Sequence, residues 1–213
     1  PGAAQIRATG EPQRGGILRV GLTGGGASDS VDAHVPVGTA DAGRVINLYD
    51  GLYEFDADYV PVPVLAESAT PRDGGREWLV RLRKGVVFHD GRPFTARDVV
   101  ATYDRVTDPK DPKTGASGLA LLRRTVAVDD HTVRFELSEP DAMFVDSTAQ
   151  YSMGIVPVDY DPAAPVGTGP FRLGTFEPGQ LTVLEANRDY WREPPFVDEV
   201  HLAQFLSRIN RWR

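Results

Sequence analysis

Residues 17–22 alternate in polarity. Leu18, Val20 and Leu22 fall on one face and Ile17 and Arg19 on the other, which predicts a short strand halted by Gly24-Gly25-Gly26. From Asp41 to Leu52 the period changes: Val45, Leu48, Tyr49 and Leu52 recur at helical spacing, with Thr39 or Asp41 as the N-cap. Residues 53–75, broken by Pro61, Pro63, Pro71 and Gly74-Gly75, read as loop. Trp78, Val80 and Leu82 then alternate with Leu79 and Arg81, a half-buried antiparallel strand. Thr95 and Asp98 form an acidic capping box ahead of Val99, Tyr103 and Val106, and Asp108-Pro109 closes that helix. Residues 107–118 read as a mobile loop. Residues 125–128 and 132–137 read as a hairpin around Asp129-Asp130-His131, with Val133, Phe135 and Leu137 inward. A helix is expected after Pro140, a strand at 152–156, and strands at 171–176, 181–185 and 200–205. The pattern is α+β. Residues 45–165 form a unit between a strand-rich segment at 17–44 and another at 166–213, behind a flexible leader at 1–16.

Composition narrows the classes. The chain of 213 residues carries a net charge of −7 and no cysteine, which excludes disulfide frameworks, thiolate metal sites and cysteine nucleophiles. The acidic balance argues against a nucleic-acid partner, and no apolar run approaches the ~20 residues that a membrane helix needs. The leader PGAAQIRATGEPQRGG has no apolar core, so it is not a signal peptide; it resembles the polar stretch that follows one.

Candidate chemistry is sparse. The glycine run lacks the Lys-Ser or Lys-Thr of a phosphate loop and does not open a helix, so it reads as a turn. His34, His89, His131 and His201 lie far apart; each reads as a surface or hydrogen-bonded histidine, with a metal site assembled across the fold as the open alternative. His34 stands out, because it shares a long loop with Asp29 and Asp32. Adjacent acids at 29/32, 56/58 and 129/130 suit turn geometry as well as acid–base work, and nothing selects a catalytic set. Trp78 and Phe88 read as core. Tyr151 and Met153 precede a short strand, where side chains often reach a cleft, although core packing suits Met153 better.

The run LRKGVVFHDGRPFTARDVV, from Leu82 to Val100, strongly resembles the signature of extracellular solute-binding proteins of family 5. These are the peptide-, nickel- and oligosaccharide-binding receptors of ABC importers. GGILRVGL at Gly15, VDAH at Val31, NLYDGLYEFD at Asn47, VPVLAES at Val62, VGTGPFRL at Val166 and NRDYW at Asn187 follow in the family's order. The resemblance implies the first lobe of a two-lobed, type II periplasmic-binding-protein-like fold: a mixed sheet plus an inserted α+β subdomain, with the second lobe absent. It also implies that the chain stops inside that lobe, since members are typically more than twice as long, and that SRINRWR from Ser207 departs from the usual continuation. Gly91 and Gly167-Thr168-Gly169-Pro170 are scaffold positions in this reading.

The implied ligand sits between the lobes. Carried over onto this chain, the ligand-facing residues are Asp32, His34, Val37 and Asp41, then Leu119, then Gln150, Tyr151 and Met153. Asp32 or Asp41 would pair with a cationic group and Tyr151 would stack on a ring. The resemblance implies non-covalent capture without a cofactor, metal or catalytic residue. Peptides are the first expectation, with nickel complexes or oligosaccharides as alternatives. It implies a monomer outside the cytoplasmic membrane, lipid-anchored in the full-length protein and delivering to an ABC permease. The rival readings are a ligand-sensing module of a regulator and a small-solute hydrolase.

Overall fold

The computed structural model describes residues 13–205. Most of the leader and the SRINRWR segment lie outside them.

Strand β1 (Ile17–Thr23) leads through the glycine turn and a long loop to helix α1 (Thr39–Leu48). The helix was expected from Asp41 to Leu52, capped by Thr39 or Asp41. It starts two residues earlier, at Thr39 behind Gly38, and Asp41 caps from inside: its Oδ2 accepts the Val37 and Gly38 N–H groups at 3.0 and 3.2 Å. It stops at Leu48 because Tyr49 turns extended (φ −131°, ψ 140°), which sends Leu52 into a different hydrophobic cluster.

The segment expected to be loop holds β2 (Tyr53–Phe55), β3 (Pro61–Pro63) and β4 (Ala66–Arg72). Its prolines sit on strands with a neighbour on one side only, where a missing N–H costs nothing. β5 (Glu77–Leu82) follows and buries Trp78, Val80 and Leu82 as its alternation requires. Between β5 and the next helix, Gly91 supplies the positive φ (84°) that closes the turn onto Phe88.

Helix α2 (Ala96–Val106) begins as expected. The Asp98 carboxylate accepts the Thr95 N–H at 2.8 Å and the Thr95 hydroxyl at 3.0 Å. Val99, Tyr103 and Val106 are fully buried. The 107–118 stretch is pinned rather than loose: the Lys113 N–H donates to Val106 O at 3.0 Å, and a 3-10 turn over Thr114–Leu119 buries Leu119.

Strands β6 (Leu122–Asp129) and β7 (Thr132–Leu137) form the hairpin, and α3 (Phe144–Thr148) follows Pro140. The strand expected at 152–156 is instead a 3-10 turn at Tyr151–Met153 and an unpaired extended run. Gly154 lies there against the Tyr49 side chain, with Cβ of Tyr49 2.6 Å from where a Cβ would stand, and the Ile155 N–H bonds Asp50 O at 2.8 Å instead of a ladder partner. β8 (Phe171–Glu177), β9 (Leu181–Ala186) and β10 (Glu199–Phe205) complete the described chain.

Two four-stranded sheets result, ordered β1-β10-β9-β8 and β4-β5-β7-β6, with β2-β3 as a separate pair. Buried side chains fall into two clusters. One joins Leu52 through Ile155 around the second sheet, α2 and α3. The other joins Val31, Val45, Leu48 and Tyr49 to Val156, Phe171, Leu184 and Leu202. α1 therefore packs with the first sheet.

The Gly167–Pro170 run crosses the C-terminal end of α1. A Cβ on Gly169 would stand 2.6 Å from the Asn47 carbonyl oxygen and 2.6 Å from the Leu48 carbonyl carbon, both backbone atoms. Gly169→Ala is expected to lower stability by about 2 kcal/mol through this clash, read as a lower urea midpoint at constant slope. An unchanged midpoint would show that the crossing is loose.

Candidate functional site

The loop from Gly24 to Gly38 is buried at its middle, from Val31 to His34 and at Pro36, so the backbone polar groups there need partners from elsewhere in the chain. Two arginines organise it. Arg44 of α1, 1% exposed, donates from Nη2 to Asp29 at 2.8 Å, from Nη1 to Asp41 at 2.5 Å and from Nε to the Thr182 hydroxyl at 2.9 Å. The two carboxylates then fix backbone. Asp29 accepts the Gly26 and Gly179 N–H groups at 2.9 and 3.1 Å, and Asp41 accepts Ser30 N–H at 3.1 Å.

Arg105 of α2 reaches the middle of the loop. It grips Asp32 through two N–H groups at 3.1 and 2.6 Å and donates to Nδ1 of His34. On its other side His34 donates from Nε2 to the Gly154 carbonyl at 2.8 Å, so the ring is the neutral Nε2–H tautomer. Burial, the largest cause, pushes its pKa down to about 4; the neighbouring Arg105 charge adds to that and the Gly154 carbonyl opposes it. Tyr49 donates to Val31 O at 2.7 Å and meets the Tyr160 hydroxyl at 2.9 Å, and Tyr160 accepts the Ala33 N–H at 3.1 Å.

Two further groups, the buried Asp50 and the half-buried His89, stitch the clusters together. Asp50 accepts from the Thr168 hydroxyl (2.9 Å), the Tyr190 hydroxyl (3.0 Å) and the Trp191 indole (2.9 Å), while burial holds its pKa above the usual carboxylate value. His89 accepts the Gly167 N–H at 3.2 Å and donates to Gly169 O at 3.0 Å; burial pushes it down to about 4.

This geometry divides the eight residues carried over from the family. Asp32, His34, Asp41, Leu119 and Met153 are buried. The two carboxylates expected to meet a cationic ligand group already answer Arg105 and Arg44, and Leu119 and Met153 are core. Val37 (89% exposed), Gln150 and Tyr151 (51% exposed) face solvent. Gln150 and Tyr151 form a wall shared by two depressions. One, of ≈310 Å³, is lined on its far side by Ile46, Tyr53, Glu54 and Phe55. The other, of ≈350 Å³, lies against Thr114, Ser117, Met143 and Ser147. Among the described residues no three His, Asp or Glu side chains gather as a metal site would require. Arg44, Arg105 and Asp50 were not picked out from the sequence. Their only sequence signal is a charged residue on the apolar face of a helix or just beyond its end.

A model of bacterial extracellular solute-binding proteins, family 5, middle region, matches residues 60–211. The chain belongs to this family. Members similar to it include the oligopeptide-binding protein AppA of Bacillus subtilis, 35% identical over 91% of this chain and 38% of AppA. Another is the glutathione-binding protein GsiB of Pectobacterium atrosepticum, 32% identical over 78% of the chain and 34% of GsiB. Among solved structures, AppA with a nonapeptide superposes at a TM-score of 0.80 and 30% identity, covering 92% of this chain and 41% of AppA. AgaA from A. tumefaciens R10 with agropinic acid gives 0.82 and 31%, covering 89% and 40%. The chain thus spans about 40% of these relatives' length, and its fold is that of one lobe of a type II periplasmic binding protein.

Proposed function

We propose that this chain is part of the solute-binding component of an ABC importer and that its ligands are peptides, held without chemical change. The observation that carries this reading is the exposed Gln150–Tyr151 wall between two side-chain-sized depressions. A peptide offers alternating side chains and a backbone amide, and a primary amide between two hollows can donate to and accept from that backbone. The wall stands on a rigid base, because the 3-10 turn that carries Tyr151 buries Ser152 and Met153 beneath it. A platform ordered before binding loses less entropy when a ligand arrives. That AppA is named for oligopeptides and was solved with one lends further support. In this reading Val37, Gln150 and Tyr151 meet the ligand, while Asp32, His34, Asp41, Leu119 and Met153 hold the surface in shape. The protein works as a lipid-anchored monomer outside the cytoplasmic membrane and hands its ligand to a permease.

Calorimetric titration of the full-length gene product with short peptides, nickel–histidine and oligosaccharides tests the reading. Peptides are expected to bind. Tyr151→Ala should weaken them by roughly tenfold through loss of a half-exposed ring. Binding of nickel–histidine or sugars alone would overturn the peptide assignment, and an unchanged affinity for Tyr151→Ala would remove Tyr151 from the surface.

A further inference from the structure

The two depressions on either side of Gln150–Tyr151 differ in chemistry. The one bordered by Ile46, Tyr53 and Phe55 carries aromatic rings, and its carboxylates are already engaged: Glu54 pairs with Arg192, and Asp50 accepts from Thr168, Tyr190 and Trp191. The other is lined by Asp146 together with the hydroxyl-bearing Thr114, Ser117 and Ser147, with Met143 and Tyr151 at its border. No lysine, arginine or histidine lines it. Among the described residues Asp146 enters no ion pair. Lys113, which directly precedes Thr114 of this lining, pairs with Asp111 instead.

Helix geometry accounts for part of this. Asp146 lies in the first turn of α3, where a carboxylate is favourable, but α3 is only five residues long. The helix end does not explain why three hydroxyl-bearing residues from two separate segments line the same hollow.

Resting on the peptide reading above, we propose that the Asp146 depression receives the cationic head of a lysine or arginine side chain, so that the protein prefers basic peptides. An ammonium or guanidinium brings three to five N–H donors and no acceptor. Hydroxyl oxygens and a carboxylate answer that set, whereas an anionic group would meet Asp146 with no cation to offset it. The stem of such a side chain is aliphatic. Met143 is 60% exposed and Tyr151 51% exposed, which gives the stem a thioether and a ring face to lie on. The neighbouring aromatic hollow would take an apolar side chain of the same peptide.

The test uses the full-length gene product and tripeptides with an alanine host, in which Lys, norleucine or Glu occupies each position in turn. Norleucine keeps the stem and removes the charge. At one position Lys is expected to bind about tenfold tighter than norleucine, and Glu more weakly than either. In Asp146→Asn the Lys-to-norleucine ratio should fall toward one. Ser117→Lys, a substitution at an exposed position, should reverse the preference and guards against misfolding of the first variant. Tight peptide binding with a ratio near one at every position would overturn this inference and leave the peptide reading standing. Failure of every tripeptide would sink both. A ratio unchanged in both variants would place the cation elsewhere.

Discussion

Arg44→Ala is expected to remove about 4 kcal/mol of stability and to lower the melting temperature by on the order of 10 °C. The guanidinium is 1% exposed and its two carboxylate partners, Asp29 and Asp41, are 5% and 6% exposed at their side chains. Truncation leaves both carboxylates buried and unpaired, which costs far more than the net worth of the intact cluster. The loss spreads through backbone, because Asp29 and Asp41 hold the N–H groups of Gly26, Ser30, Val37, Gly38 and Gly179. Lysine should not rescue the variant, since one ammonium cannot reach both carboxylates and Thr182 in the geometry of the planar fork. Combining Arg44→Leu with Asp29→Asn and Asp41→Asn should recover part of the deficit by removing the stranded charges. The measurement is urea unfolding followed by circular dichroism. A midpoint for Arg44→Ala that implies a loss below about 1 kcal/mol would show that water enters the cluster and carries the charge.

Acid should weaken the fold well above the pH at which carboxylates titrate. His34 and His89 ionise near 6.5 when unfolded, but burial pushes both down to about 4 in the folded chain. Between those values the unfolded state binds protons that the folded state refuses, so stability falls as pH falls. The contribution of each ring is complete above about pH 6.5, declines below it and levels off near pH 4, for a loss of about 3 kcal/mol per site. Asp50 acts in the opposite sense, because burial raises its pKa and its protonation relieves that cost as pH falls. Melting temperatures at pH 7, 6, 5 and 4 read the sum. His89→Gln, which keeps a donor and an acceptor without the proton uptake, should flatten the curve. A pH profile for His89→Gln identical to that of the wild type would remove His89 as a neutral anchor.

The sequence disclosed the elements whose sterics are local. Val133, Phe135 and Leu137 face one way because alternation forces it, and Thr95 with Asp98 marks a helix start whatever lies around it. The β-strands between 53 and 75 were hidden because proline is usually a strand breaker, and its tolerance on Pro61, Pro63 and Pro71 depends on which strand becomes an edge, a tertiary fact. The end of α1 was hidden for a similar reason: Leu52 keeps the helical period by coincidence while belonging to another cluster. The site was less legible than the fold. Asp32 and Asp41 looked available for a ligand because their arginine partners, Arg105 and Arg44, lie on helices whose packing the sequence does not reveal. Gln150 is named through the resemblance alone, Tyr151 also by its place ahead of an expected strand, and nothing in the sequence marks Asp146.

The parallel pairing of β1 with β10 has a consequence for how the molecule comes into being. Gly16 and Asp198 hydrogen-bond across 182 positions, and the whole register from Ile17↔Glu199 to Thr23↔Phe205 is as distant. By contrast, the sheet of β4, β5, β7 and β6 is made of neighbours between Ala66 and Leu137. A chain emerging from the ribosome at ~5–20 residues per second can therefore close that inner sheet before its first strand has a mate. For those seconds Ile17, Leu18 and Val20 wait as an unsatisfied template, open to the wrong partner. The nascent protein carries an unpaired β1 for as long as β10 is still to be made, and the synthesis of that strand is what relieves it.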